Sequence, residues 1–460
     1  MKSLKNFLST ISKKRATPFI LIGLIGLGVI LRIISLPILG FHGDFQVFNV
    51  WEAELTKYGF FNFYQNSSCN YLPIYAYLLK FSHLIQPLIH SLHRAWQEQQ
   101  VVWISYKFPC FIFDLLTAYI IFLFIYHQTK NKVLGLLGVI FYLFNPVLYH
   151  NTYIYGQNNV LLYFPTVLLF YMIQQKKFYL AGFAMAILLL IKPTGIIIVP
   201  LALLVLILQT RKNYRAYWQF FLSFYVILQV LILPFYFRLP WDFVKIFYNS
   251  LTTGNGYKLT QMYSYNLWYL LIGKDWLPDY IIFWGKSYYF WGMLMLAVSY
   301  LITILLGYIY KAKNYLILAT VIYFCFFIFP TRVHEGYLLF AFPVFILAMM
   351  IYKNYILGLI YIITSIVYAY NIWGYWFWPK ALWNHIPIHY GGRFALLAAY
   401  IICLAPFVLI GYFIFLTFSP NLLSRFISSE TEISFSPNLS PNKMLVPFFS
   451  KTMQCVSLFI

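Results

Sequence analysis

Charged residues are scarce in this chain, because only 9% of its 460 positions are Asp, Glu, Lys or Arg. So little charge cannot supply the polar surface of a soluble globular protein of this length. Hydrophobic residues make up 62% of the chain, aromatic residues make up 22%, and the mean hydropathy is +0.74. The apolar runs approach 20 residues, which is the length of a membrane-spanning α-helix. The composition therefore predicts an all-α polytopic membrane protein that lies in a lipid bilayer.

Acidic residues are the scarcest charges, with 11 Asp and Glu against 32 Lys and Arg. In a soluble protein this imbalance would indicate a nucleic-acid partner. In a membrane chain, basic residues gather in cytoplasmic loops and orient the spans. We therefore expect no nucleic-acid partner. The five cysteines are scattered without a CxxC pair, so they indicate neither a disulfide framework nor a metal site, and we expect no cofactor.

The basic clusters recur along the chain at intervals that let it leave and re-enter the cytoplasm between them. Placing every cluster in the cytoplasm predicts about twelve spans, near 18–38, 103–126, 133–149, 159–175, 178–191, 194–210, 216–237, 288–310, 315–330, 337–352, 355–372 and 394–417. The segment 71–89 is apolar, but a full crossing there would invert everything after it. We expect it to form a juxtamembrane or re-entrant helix within a long first extracytoplasmic loop, residues 39–102.

This layout divides the chain into three parts. We expect residues 1–17 to form a basic cytoplasmic N-terminus, residues 18–418 to form the transmembrane domain, and residues 419–460 to form a disordered cytoplasmic tail rich in Ser, Pro and Asn. Nearly every carboxylate falls on the outer face, although acids were not used to orient the chain. The sequence therefore places any chemistry on the extracytoplasmic side.

Two charged stretches are candidates for that chemistry. Asp44, in "HGDFQVFNVWEAEL", follows the first span and suits a general base, although a helix N-cap would use the same residue type. In "FPTRVHEGYLLFAFP", Arg332, His334 and Glu335 fall within four positions. The planar fork of Arg332 fits phosphate oxygens, and His334 adds a donor or a proton shuttle. The alternative for this stretch is an outer loop with one Arg–Glu pair.

A third stretch, "FNPVLYHNTYIYGQNN", combines neutral hydrogen-bonding groups with tyrosines. His150, Asn151, Gln157 and Asn158 suit a sugar, whose hydroxyls need donors and acceptors and whose apolar face stacks on aromatic rings. An ordinary polar loop beside the aromatic belt of the membrane is the alternative.

Four further ionisable residues lie at or within span ends, where such groups are costly and are functional or paired. They are Lys107, Asp114, Lys192 and Arg393. Lys107 and Arg393 can instead extend to the interface. We expect Asp114, deeper in its helix, to pair with a cation or a Tyr hydroxyl.

Together these stretches resemble the GT-C superfamily of integral-membrane glycosyltransferases, over about residues 18–415. The nearest likeness is to bacterial relatives of the GPI mannosyltransferases and of the glucosyltransferases that use dolichyl-phosphate glucose. The acidic first-loop stretch, "KFPCFIFDLL", the asparagine-rich stretch, "SYNLWYL" and "TRVHEGYLL" carry the resemblance. The chain departs from the pattern in two ways: the first loop lacks an Asp-x-Asp or Glu-x-Asp pair, and Gly336 replaces the usual charged residue after His-Glu.

The resemblance implies an inverting transfer of a hexose, mannose or glucose, from a polyprenyl-phosphate donor to a hydroxyl of a lipid-linked or other glycan acceptor. It implies Asp44 as the base and, with no paired acid in the first loop, no metal. Interfacial cations would replace the metal at the phosphate: Arg332, His334, Lys107 and Arg393. His150, Asn151, Gln157, Asn158 and Glu335 would contact the sugar or the acceptor. We expect a bacterial plasma (inner) membrane enzyme with an extracytoplasmic site.

Two other classes use similar residues. An O-antigen ligase or polymerase also has Arg and His on the outer face, but its reactive loop comes late in the chain, whereas here the acid lies in the first loop. A transporter or flippase of lipid-linked sugar would use the same intramembrane charges. The chain shows no repeated half of the kind that many transporters have.

Overall fold

The computed structural model describes residues 16–92, 94–211, 213–235, 244–248, 258–375, 391–392 and 394–418. The candidate residue Arg393, the predicted tail 419–460 and residues 1–15 of the predicted N-terminal part lie outside these ranges. Within them the chain is almost entirely helical, and the only sheet is a hairpin of two short strands. The prediction of an all-α fold is confirmed.

The first half of the described chain forms ten α-helices with short 3-10 and π segments between them. They are α1 Ala16–Ser35, α2 His42–Asn66, α3 Pro73–Leu92, α4 Glu98–Thr129, α5 Lys132–Leu143, α6 Pro146–Tyr149, the π-helix His150–Tyr155, the 3-10 helix Asn159–Leu162, α7 Tyr163–Gln174, α8 Phe178–Ile191, the 3-10 helix Pro193–Ile198, α9 Val199–Thr210 and α10 Tyr214–Ile232.

Besides a short helical stretch at 244–248, the second half contains six further α-helices and the hairpin. They are α11 Leu267–Ile272, strands β1 Ile282–Phe283 and β2 Lys286–Ser287, α12 Tyr288–Ile309, α13 Tyr315–Ile328, the 3-10 helix Tyr337–Phe340, α14 Ala341–Ile351, α15 Tyr355–Tyr375 and α16 Ala395–Phe418.

Each predicted span coincides with a helix, but the helices differ in length. In the described ranges, six are long and apolar enough to cross a membrane: Glu98–Thr129, Pro193–Thr210, Tyr214–Ile232, Tyr288–Ile309, Tyr355–Gly374 and Ala395–Thr417. Helix α5 and Pro146–Tyr155 add a seventh if this pair, bent by 50°, is one span. The other predicted spans correspond to shorter apolar helices of 10–17 residues. The chain is an integral membrane protein, and the count of twelve spans stays a prediction.

Helices α2 and α3 occupy the predicted first loop, and neither is among the candidate spans of the described chain. Helix α2 presents an aromatic face: Phe45 stacks on Trp103 of α4 with ring centroids 5.0 Å apart, and Phe48 meets Tyr106 edge-on at 5.9 Å. Such pairs contribute about 0.5–1.5 kcal/mol each beyond their burial. This packing fixes the position of Asp44, in the first turn of α2.

A buried ion pair joins α1 to α4. Arg32 Nε donates to Asp114 Oδ2 at 2.6 Å, and the hydroxyls of Tyr142 and Tyr153 also donate to this carboxylate at 2.5 and 2.8 Å. The expected pairing of Asp114 with a cation or a Tyr hydroxyl is confirmed, and both kinds of partner are present. With its carboxylate surrounded by donors, Asp114 ties the helices together and is not open to a ligand.

Candidate active site

Asp44 has a partner far away in the sequence. The N-cap of α2 is Phe41, so Asp44 is not the cap, and its Oδ2 accepts a hydrogen bond of 2.9 Å from Gln157 Nε2. Gln157 follows the π-helix His150–Tyr155, which ends at Gly156 in the left-handed conformation with φ +88°. The Asp44 carboxylate therefore faces the asparagine-rich stretch, and both belong to one site.

A chain of amide side chains continues from Gln157 to a buried lysine. Asn159 Nδ2 donates to Gln157 Oε1 at 3.2 Å, and Lys192 Nζ donates to Asn159 Oδ1 at 3.0 Å. Lys192 lies between α8 and the 3-10 helix Pro193–Ile198, and its ammonium sits 4.6 Å from the ring centroid of Tyr71. An ammonium has three donors, and Lys192 uses one of them on Asn159.

The carboxylate and the ammonium share a site without touching. Among the described residues, a basic and an acidic side chain approach within 4.0 Å in Arg32–Asp114, His83–Glu52, Arg332–Asp279 and His334–Glu335, and Asp44 with Lys192 is not among these pairs.

Burial changes the pKa of both groups. It raises the pKa of Asp44 to about 6, against the charge of Lys192 and the hydrogen bond from Gln157, which lower it. Burial also lowers the pKa of Lys192 to about 7, although the charge of Asp44 opposes that shift.

Glu335 is a second carboxylate beside Asp44. Its Oε1 accepts a hydrogen bond of 3.0 Å from the Tyr155 hydroxyl, and the Tyr368 hydroxyl donates to its backbone oxygen. Burial and, to a lesser extent, the charge of Asp44 raise the pKa of Glu335 to about 8, against the hydrogen bond from Tyr155, which lowers it. At pH 7 the Glu335 side chain is therefore mainly neutral and is able to donate a hydrogen bond.

His334 lies at the same corner, with Nδ1 3.8 Å from Glu335 Oε2. Burial lowers the pKa of His334, and the charge of Lys192 adds to the effect, so the imidazole is neutral at pH 7. In the described part of the chain, no three His, Cys, Asp or Glu side chains are grouped so that they could hold a metal ion.

Gly336 borders the amide chain closely. A Cβ atom there would lie 2.7 Å from Asn159 Nδ2 and 3.7 Å from Asn151 Nδ2. A larger residue at this position would have to displace the Asn159 amide. Asn151 is fully buried, and its Nδ2 has no hydrogen-bond partner among the described residues. An amide donor left open in this position is available to a ligand.

Arg332 is held by another carboxylate. Its Nε donates to Asp279 Oδ2 at 2.7 Å and its Nη2 to Asp279 Oδ1 at 3.3 Å, while its Cζ lies 4.5 Å from the ring centroid of Tyr289. The Thr331 hydroxyl donates to the same Asp279 carboxylate at 2.9 Å. The sequence offered an Arg–Glu pair as the alternative for this stretch, and in the structure Arg332 pairs with Asp279. Binding of phosphate by Arg332 stays a prediction.

The other predicted site residues have different surroundings. Lys107 Nζ donates to the backbone oxygens of Ile38 and Tyr153, both at 2.6 Å, so this buried lysine joins the end of the first predicted span to the π-helix. The His150 ring lies 6.2 Å from that of Trp373. Asn158 is buried beside the hydroxyl groups of Tyr71 and Tyr75.

Of the predicted set, the structure brings together Asp44, Asn151, Gln157, His334 and Glu335. The predicted site omitted Lys192, the cation that faces Asp44. The sequence did contain a signal for Lys192, because a lysine between two apolar helices is costly unless it is functional or paired. Sequence alone did not show which of the four such residues would point toward the carboxylate.

The apolar helices define an integral membrane protein, and a carboxylate, an ammonium and several amides meet at one polar site on it. A model of glycosyltransferase family 87 matches residues 100–331, just over half of the chain. The chain therefore belongs to glycosyltransferase family 87. The matched range includes Gln157, Lys192 and Asp279, whereas Asp44 and Glu335 lie outside it. Among curated proteins, none matches this chain.

Proposed function

We propose that this glycosyltransferase has a GT-C-like architecture and moves a hexose, mannose or glucose, from a polyprenyl-phosphate donor to a hydroxyl of a lipid-linked or other glycan acceptor. The observation that carries the proposal is the separation of Asp44 from Lys192 by the amides of Gln157 and Asn159. Direct transfer needs a base on one side of the sugar and a cation at the leaving group on the other. A carboxylate and an ammonium kept apart in one site meet that need.

In this reaction Asp44 accepts the proton of the acceptor hydroxyl while the hydroxyl oxygen attacks the anomeric carbon. The bond from that carbon to the phosphate oxygen breaks, and polyprenyl phosphate leaves with the bonding electrons. Attack opposite the leaving group inverts the anomeric configuration. A base with a pKa of about 6 is mainly ionised at pH 7 and more basic than an ordinary carboxylate, which suits general-base catalysis.

Lys192 would stabilise the negative charge that develops on the leaving phosphate, together with the open amide of Asn151. Neutral donors and acceptors on Gln157, Asn158 and the protonated Glu335 would bind sugar hydroxyls. Arg332, His334, Lys107 and Arg393 were the predicted phosphate ligands, and among them His334 has a pKa that the charge of Lys192 lowers. We place the site on the extracytoplasmic face of a bacterial plasma membrane.

Membership of a glycosyltransferase family favours transfer over the transporter alternative. A ligase or polymerase acting on lipid-linked glycans remains the second candidate, because it would use the same outer site. The donor separates the two: a ligase takes a glycan linked through a lipid diphosphate, and the proposed enzyme takes a single hexose on a lipid monophosphate.

The test is to incubate the purified protein in proteoliposomes with a lipid extract and either polyprenyl-phosphate mannose or polyprenyl-phosphate glucose. Release of free polyprenyl phosphate from one donor supports the proposal and identifies the sugar. The Asp44→Asn variant is the control, and it should release little. Release from neither donor, or equal release by the variant, would contradict the proposal.

A further inference from the structure

The hairpin β1–β2 exposes an unusual amount of apolar surface. Trp284 at its tip is 83% exposed, Ile282 is 67% exposed, and Tyr280, just before it, is 66% exposed. Contiguous exposed apolar groups mark an interaction surface. We call the residues 280–284 the hairpin tip surface.

The backbone holds the tip in place. Ile282 pairs with Ser287 and Phe283 with Lys286, which leaves a two-residue turn of Trp284 and Gly285. Both turn residues have positive φ, +49° and +76°, as the tightest hairpin turns require. A non-glycine residue rarely adopts this conformation. The strand pairing places Trp284 in the turn, at the outermost point of the hairpin.

The hairpin leads directly into α12, a candidate membrane span that is capped by Ser287. It also folds back onto the first turn of that helix. Trp291 Nε1 donates to the Phe283 backbone oxygen at 2.7 Å, and the Phe283 ring stacks on Tyr288 with centroids 5.4 Å apart. The tip therefore lies at the level where the span begins, beside its exposed residues Phe290 and Met293.

That level is the boundary between lipid headgroups and hydrocarbon, where Trp and Tyr are enriched because they have an apolar body and a polar edge. Lys286 is also exposed on the hairpin, and its ammonium lies 5.6 Å from the ring centroid of Phe290, so a cation sits at headgroup height. From this continuity with the span we propose that the hairpin tip surface binds the bilayer interface, with Trp284 among the lipid headgroups.

The hairpin is joined to the loop that carries His334 and Glu335. Asp279, directly before the hairpin tip surface, is 1% exposed and binds Arg332. Its backbone oxygen accepts a hydrogen bond of 2.9 Å from the nitrogen of Tyr289, in the first turn of α12. A hairpin seated on the membrane thereby sets the height of this loop, independently of which donor the enzyme uses.

Spin labelling of the full chain in lipid nanodiscs tests the proposal. The five native cysteines are replaced by serine or alanine, and single cysteines are introduced at 282, 274 and 298 for the label, with Trp284 intact. Val298 faces outward within α12, and Lys274 is an exposed residue outside the spans. We expect the ratio of oxygen to nickel-chelate accessibility at 282 to lie between the low ratio at 274 and the high ratio at 298.

A label at 284 adds a second measurement, with unfolded samples excluded by gel filtration and thermal unfolding. If the proposal holds, that label also shows an interfacial ratio. Ratios at 282 and 284 equal to that at 274 would place the tip in water and overturn the proposal. A hairpin that binds a glycan and does not contact the membrane would give these low ratios at 282 and 284.

Discussion

The guanidinium of Arg332 binds both oxygens of Asp279, at 2.7 and 3.3 Å, and Asp279 is almost fully buried. Arg332 also adopts a left-handed backbone conformation with φ +64°, which is uncommon for a residue with a side chain. Its backbone nitrogen donates to the oxygen of Leu259 at 3.0 Å. The pair fixes the strand-like segment that leads to His334 and Glu335.

The first prediction concerns this pair. Arg332→Lys keeps the charge but loses the two-pronged fork, so we expect the fold to persist and the donor KM to rise by about tenfold, which is about 1.4 kcal/mol and at the low end for a hydrogen bond to a charged group. Asp279→Asn serves as the comparison, because it loosens the same pair without touching the Arg332 side chain. Steady-state kinetics of both variants are the measurement. Kinetics of Arg332→Lys equal to those of the wild type would remove Arg332 from the site.

Asp44→Asn tests the base directly. The amide keeps the size of the side chain and an oxygen for Gln157 Nε2, but it cannot accept the hydroxyl proton. General-base catalysis contributes ~10²–10⁴-fold, so we expect turnover to fall by about that factor while donor binding changes little. Sugar transfer and equilibrium binding of the donor are measured side by side, with and without EDTA. An active Asn variant would defeat the assignment, and loss of wild-type activity in EDTA with recovery in Mg²⁺ would defeat the metal-free mechanism.

The pH dependence of kcat/KM follows from two groups. Asp44 must be ionised, and its pKa is raised to about 6, so activity falls as the pH drops below that value. Lys192 must be protonated, and its pKa is lowered to about 7, so activity falls as the pH rises above that value. We expect a bell with an optimum between pH 6 and 7 in free-enzyme kinetics. Lys192→Arg should move the alkaline limb upward, toward the pKa of about 8 of Glu335, because Arg stays charged, and an unchanged limb in that variant would exclude Lys192 as its source.

Lys192 and Lys107 are two buried lysines with different expected roles, which makes them a matched pair. Lys192→Met removes the cation at the proposed phosphate position, and we expect the donor KM to rise by about 10–100-fold, since a hydrogen bond to a charged group contributes about 1.5–3 kcal/mol. Lys107→Met leaves two buried backbone oxygens without a donor and should lower the thermal unfolding temperature instead. Kinetics and unfolding of both variants in the same detergent give the comparison. A normal donor KM in Lys192→Met would move the phosphate elsewhere.

The topology prediction is tested at exposed positions. Cysteines at Lys57 and Lys274 should react with an impermeant thiol reagent in intact cells, because both positions lie outside in the proposed layout. Cysteines at Lys130 and Lys176, in the basic clusters, should react only after the membrane is made permeable. Protection of position 274 together with labelling of position 57 would show that the layout fails between them, at α3 or later.

The local sequence was sufficient to predict the helices, because each apolar run between basic clusters is a helix in the structure. Helix α3 begins at Pro73, two residues after the start of the predicted segment 71–89. It also singled out Asp44 and the asparagine-rich stretch, which meet through Gln157, while the chemistry expected of them stays a prediction. It was not enough for pairs set by packing. Arg332 with Asp279 and Lys192 with Asn159 depend on how whole helices lie against each other, which no spacing reveals.

The hairpin tip was missed for a different reason. Its turn is formed by Trp284 and Gly285, and the turn signals that identify hairpins in sequence are Asn-Gly and Asp-Gly. A tryptophan in the left-handed conformation has a conformational cost, so it is not expected at this turn position. Residues 282–287 therefore carry no such turn signal, and the structure shows a hairpin with an exposed aromatic tip there.

The π-helix His150–Tyr155 has a consequence for how the site tolerates change in chain length. A π turn holds more residues than an α turn, so it acts as an inserted residue that the helix absorbs without breaking. Deleting Thr152 there would shorten the segment between α6 and Gln157 by one residue and favour ordinary α-helical geometry. We expect Gln157 to lose its place beside Asp44, although neither of these two residues had been altered. The contact between them thus depends on the number of residues in one helical turn as well as on residue identity.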